Sequence, residues 1–174
     1  MPQSNILALL GGGDRRSIGH SDRVAKTVAQ DPGLFPELMA GLWSKELLVR
    51  IRAADALEKV TRASPALLQP YKKELLGLMG EATEPALRWH LAVIVPRLSL
   101  KARERQLILN SFFLYLEDRS SIVKTFALQG LADLAQDDPT ILPCVIDILR
   151  QTTRKGSPAM KARSRKLLSR LDAD

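Results

Sequence analysis

The chain has 174 residues, 45% apolar and 26% charged, an ordinary composition for one soluble globular domain, and no apolar run approaches the roughly 18 residues that span a bilayer. Its single cysteine, Cys144, excludes an intrachain disulfide and any cysteine-based zinc cluster, and its setting between Leu142 and Val145 predicts a buried structural thiol in a reducing cytosol. The net charge of +7 is local: residues 150–170 hold eight of the 26 basic side chains and no acid, which leaves the rest of the chain at −1.

Residues 6–10 form a short apolar segment that stops at Gly11-Gly12-Gly13. The segment follows no basic lead and precedes no small-residue cleavage site, so it does not read as a signal peptide and a cytoplasmic protein is the expectation. The loop 11–19 (Gly-Gly-Gly-Asp-Arg-Arg-Ser-Ile-Gly) has glycine enough for a phosphate cradle but lacks the Gly-Lys-Ser/Thr ending and a preceding strand. An ordinary turn with an Asp14/Arg15/Arg16 charge cluster is expected there. Ser21 or Asp22 reads as the N-cap of a helix reaching about Gln30. Residues 1–21 are thereby set apart as a terminal segment or cap, and 22–174 as the helical domain.

Asp31-Pro32, Ser64-Pro65 and Asp138-Pro139 each pair a capping side chain with proline at the first helical position, and Pro36, Pro70 and Pro143 follow within the first turns. These mark bent first helices, expected over 33–43, 65–80, 101–117 and 139–153. Each precedes one of four blocks that align without gaps, 49–60, 87–98, 123–134 and 160–171, at offsets of 38, 36 and 37 residues. Block positions 1, 5, 8 or 9, and 12 are apolar and fall on one side of a helix. A period in the thirties built from one helical unit predicts an all-α solenoid of about four helix pairs plus a leading helix, roughly nine helices in all.

The proline-opened first helices and the second-helix pattern resemble those of HEAT repeats of the armadillo-like superfamily. The pattern is aspartate, four residues, valine, a basic residue, two residues, alanine and spaced leucines. Asp118, Val123, Lys124, Ala127, Leu131 and Leu134 carry it fully, and Val49, Arg50, Ala53, Leu57 and Val60 carry it with Ser44 in place of the aspartate. The second block departs at Ala82 and Pro96, and the fourth at Lys155 with a basic face. The resemblance covers about residues 22–171. It implies a right-handed α-α superhelix used for binding and scaffolding.

The basic column Arg50, Arg88, Lys124, Lys161 sits beside the buried stripe, where stems pack between repeats and heads bond loop carbonyls or acids such as Asp118. Positions 3, 7 and 10 point away from the core, on the side that is concave in such solenoids. There Ile51, Trp89, Val93 and Pro96 form an apolar centre with Asp55 and Glu58 beside it and Lys166 farther along. Trp89 is the expected anchor, partly exposed, with His90 at its rim. His20 and His90 lack partners at metal-ligand spacing, no nucleophile elbow is present, and neither a catalytic residue nor a cofactor is expected. On the C-terminal helix, Arg163, Arg165 and Lys166 offer contacts to anions or nucleic acid, or serve as the solvated cap of the array.

The first expectation is a small non-enzymatic module, monomer or homodimer, that binds a protein or peptide on its concave face through Ile51, Asp55, Trp89, Val93 and Pro96. The second is nucleic-acid binding through the basic C-terminal end, and no membrane association is expected. The third follows from the resemblance alone: HEAT-like DNA alkylation-repair glycosylases and phycobilin lyases are enzymes, although only Trp89 and Asp55 are loosely similar and no motif carries their roles over.

Overall fold

The computed structural model describes residues 5–14 and 16–172, so Arg15 of the proposed charge cluster lies outside the described residues. The described chain is 79% helical without a strand, which meets the all-helical expectation. Its nine α-helices are α1 (Ser21–Gln30), α2 (Phe35–Ala40), α3 (Leu47–Ala63), α4 (Lys72–Glu81), α5 (Pro85–Ile94), α6 (Ala102–Leu116), α7 (Ser121–Asp137), α8 (Leu142–Lys155) and α9 (Pro158–Leu171). They fall into two compact units, divided between Tyr71 and Lys72.

In the first unit α1 and α2 pack on α3 around buried Val24, Val28, Leu38, Ala53 and Leu57. The apolar segment predicted over 6–10 makes a short 3-10 turn, Ala8–Leu10, whose Leu10 is buried with Ile6 in the same core. The first helix expected over 33–43 is broken into a 3-10 turn at Pro32–Leu34, then α2, then another turn at Gly41–Trp43. Asp31 caps the first turn by accepting from the Gly33 amide at 3.0 Å, as its place before proline suggested. The predicted cap of α1 is corrected: His20 is the N-cap, and Ser21 is buried inside the helix. The Ser21 hydroxyl donates to Asp55, whose carboxylate also takes the Lys59 ammonium, and Lys59 pairs in turn with Asp22. A tertiary acceptor on α3 thus outcompetes the local capping bond.

The glycine loop is built around Arg52, which is only 3% exposed. Its guanidinium donates to the main-chain carbonyls of Leu10, Gly11, Gly12, Asp14 and Ser17 at 2.6–3.3 Å. A phosphate cradle needs amides pointing inward, whereas this loop turns five carbonyls inward onto a cation. Glycine is required at residue 19, where φ is +55° and a Cβ would stand 2.8 Å from the Arg52 guanidinium carbon.

In the second unit α7 lies between α5 and α9, and each of these block helices packs against its preceding helix, α4 on α5, α6 on α7 and α8 on α9. Block positions 1, 5, 9 and 12 are buried in α5 with its following turn and in α7: Leu87, Leu91, Val95, Leu98, and Val123, Ala127, Leu131, Leu134. In α9 positions 5, 8 and 12, Ser164, Leu167 and Leu171, are buried, while Met160 and Leu168 at positions 1 and 9 are half-buried. Pro96 ends α5 at Ile94 and turns Val95–Arg97 into a 3-10 segment, because proline offers no amide to continue the ladder. Pro70 likewise splits the helix expected over 65–80 into a 3-10 stretch, Pro65–Tyr71, and α4.

The helix expected to open at Asp138-Pro139 begins instead at Leu142, with Pro143 in its first turn. Asp138 caps the turn before it, accepting from the Thr140 amide at 3.1 Å and holding Arg105 at 3.3 Å. The same serine-proline device opens α9, where Ser157 accepts from Met160 N at 3.3 Å. Cys144 is exposed, which corrects the buried thiol: Val145 and Leu149 face the core, and Cys144 points about 100° away from Val145.

Candidate interaction surface

The basic column is structural where its contacts are resolved. Arg50 donates to the Ser44 and Lys45 carbonyls at 2.9 and 3.4 Å. Arg88 repeats the contact six residues upstream, donating to the Ala82 carbonyl at 2.7 Å, and its other arm reaches Asp118 at 2.5 Å while the guanidinium lies over the Tyr115 ring. Burial of Asp118 opposes its ionisation, but the Ser120 amide, the Arg88 guanidinium and the Lys124 charge outweigh it and hold the carboxyl below its ordinary value. A carboxylate with a lowered folded pKa stabilises the fold above the unfolded value and loses that contribution as pH falls through the folded one. Arg88→Met is therefore expected to lower the melting temperature at neutral pH and to flatten the stability loss below about pH 4, as read by thermal denaturation across an acid series.

Positions 3, 7 and 10 divide. Ile51 and Asp55 belong to the first unit, Ile51 half-buried and Asp55 committed to Ser21 and Lys59. Glu58, expected on the open side, is buried and binds Arg62 one turn on, at 2.8 and 2.6 Å. Thr125 and Ala132 are also buried, because α7 is packed by α5, α6, α8 and α9 and so keeps little free surface. In the second unit Trp89, Val93 and Pro96 share one side of α5 and its following turn, all three half-buried. His90 is corrected from rim to core: it is 2% exposed, with Nδ1 2.6 Å from the Ala86 carbonyl oxygen.

Around Trp89 the structure assembles a column that runs laterally across three helices. The indole stacks on the His90 ring at 3.4 Å and on the Phe126 ring of α7 at 4.9 Å. On α9 the Arg163 guanidinium carbon lies 5.2 Å from the Phe126 centroid, in reach of a cation–π contact. Arg163 also donates to the Gln129 side-chain oxygen at 2.7 Å; the Gln129 amide donates to Asp133 at 2.8 Å, and Asp133 accepts from Arg170 at 2.9 Å. Trp89, Phe126 and Arg163 are each half-buried, so the column is anchored below and open above.

Beside it, α7 and α9 enclose an open groove of about 660 Å³ whose walls include Gln129, Ala162, Arg163, Lys166, Leu167 and Arg170. The three basic candidates of the C-terminal helix thus separate: Arg163 and Lys166 enter the groove, and Arg165 is exposed outside its lining. Gln129 stands at block position 7, one of the positions read as pointing away from the core, but sequence reasoning missed Phe126. It was legible as block position 4, which Phe126 and Arg163 share in successive blocks. A second surface went unread on α6, where Leu107 and Leu114, seven residues apart, are 60% and 70% exposed.

Among the described residues no cluster of histidine, cysteine and carboxylate side chains is arranged to hold a metal ion, and no helix is long and apolar enough to cross a membrane. Comparison with family models, curated proteins and solved structures found no match.

Proposed function

We propose that this chain is a non-enzymatic interaction module of the HEAT-like α-solenoid kind, a right-handed array that binds a protein or peptide segment along the α5–α7–α9 face. The repeat period, the side-by-side block helices of the second unit and the Arg88–Asp118 tie between successive repeats support the architecture. The Trp89–Phe126–Arg163 column carries the functional reading: large aromatic and guanidinium side chains, half-open and already held by one another, form the composition and rigidity that anchor interfaces. A preformed platform loses little freedom when a partner settles on it.

The test is panning of a displayed random-peptide library on the full chain and, in parallel, on a Trp89→Ala variant shown to be folded by circular dichroism. Peptides enriched by the wild-type chain and lost on the variant are expected. Enrichment that is absent, or equal on both, would contradict the reading.

A further inference from the structure

We infer that the α7–α9 groove takes an acidic peptide segment, whose carboxylates pair with Arg163 and Lys166 while a neighbouring apolar side chain lies against Ala162, Leu167 and the open ring edges of Phe126 and Trp89. The inference rests on the interaction-module reading and supplies the partner's chemistry. Its first support is the state of the cations. Arg163 is fixed by a neutral amide oxygen and an aromatic ring, so it is oriented without a carboxylate partner among the described residues. Lys166 is exposed on the same face, one turn on, and among the described residues no carboxylate lines the groove. Arg170, by contrast, is already paired with Asp133 and closes the far end.

Spacing agrees with the same occupant. Arg163 and Lys166 stand one turn apart on one helical face, about 4.5 Å along the axis. Carboxylates at alternate positions of an extended chain stand about 6.6 Å apart, a separation that the long Arg163 and Lys166 side chains reach from neighbouring turns.

Single-stranded nucleic acid would also seek cations, but it binds such surfaces by stacking bases on free aromatic faces. Here two rings already stack on or beside the indole, and a guanidinium covers Phe126. A continuous phosphate chain would in addition run onto Asp133, which a peptide with acids only at the Arg163 end avoids.

The experiment is fluorescence anisotropy on the full chain with three labelled probes: a peptide with two glutamates flanking a leucine at one end and neutral residues beyond, its counterpart with both glutamates changed to glutamine, and oligothymidylate. The glutamate peptide is expected to bind about tenfold tighter than the glutamine peptide at low salt, a preference weakened by added salt. Arg163→Gln with Lys166→Gln should erase the preference. Lys166→Gln alone, at an exposed side chain, should reduce it without touching the fold. Arg154→Gln with Arg165→Gln, which removes the same charge outside the groove, should leave it within about twofold. Equal binding of both peptides would overturn the acidic assignment, and its loss on Trp89→Ala would then show the module reading intact. A preference that survives the Arg163/Lys166 double change, or tighter binding of oligothymidylate through those two residues, would also overturn it.

Discussion

Arg52→Met is expected to lower the stability of the first unit by about 3 kcal/mol. Methionine keeps much of the stem's packing and removes every donor. The carbonyls of Leu10, Gly11, Gly12, Asp14 and Ser17 then lose the cation that organises them. Each carbonyl stranded from water costs on the order of 1–3 kcal/mol, but those of the exposed loop can recover water, which keeps the total below the sum. Arg52→Lys should recover only part, because an ammonium cannot span the five acceptors that a planar fork reaches. Chemical denaturation reads the stability. Limited proteolysis reads the locality, with new cleavage expected between residues 11 and 19. An unchanged midpoint with an intact loop would mean that the carbonyl cage contributes nothing.

The second large effect is expected at Gly130, where α7 meets α5 and α6. A Cβ built there would stand 2.7 Å from the Ala92 carbonyl oxygen of α5 and overlap the ring of Phe112, a fully buried side chain of α6. Gly130→Ala gains helix propensity of roughly 1 kcal/mol but must push two helices apart, and overpacking of a filled core costs about 1–3 kcal/mol. Gly130→Val adds a branched group at the same contact and is expected to cost more than 3 kcal/mol. Pairing Gly130→Ala with Phe112→Leu should restore only part of the stability, because the Ala92 oxygen is main chain and cannot rotate away. A melting temperature raised by Gly130→Ala would show that propensity, not close approach, rules the position.

What the sequence disclosed and what it withheld follow from the range of the forces involved. The buried stripe at Leu87, Leu91, Ala127, Leu131 and Leu134 was legible because helical period is a local property. The roles of Arg50 and Arg88 were legible for the same reason, their carbonyl partners lying six residues upstream. Proline marked the breaks at residues 36 and 70 but not their lengths, since a missing amide can be absorbed by 3-10 turns or by a new helix start. Pro96, read only as a departure within the block 87–98, ends α5 at Ile94. Arg52 was hidden because a lone arginine on an amphipathic helix reads as solvated until a remote loop supplies its acceptors. Glu58, His90 and Cys144 were misplaced because the width of each buried stripe depends on how many neighbours cover the helix. The lateral stack of Trp89, Phe126 and Arg163 needed the blocks compared across repeats rather than along one helix.

The most direct test of the binding face is amide chemical-shift mapping of the full chain titrated with a peptide recovered by panning. Perturbations are predicted at the Trp89 indole N–H, around Phe126 and Gln129, and along α9 from Ala162 to Arg170. Shifts that gather instead on the exposed α6 leucines, Leu107 and Leu114, with the Trp89 indole signal unmoved, would contradict the account and place the partner on the opposite choice of surface.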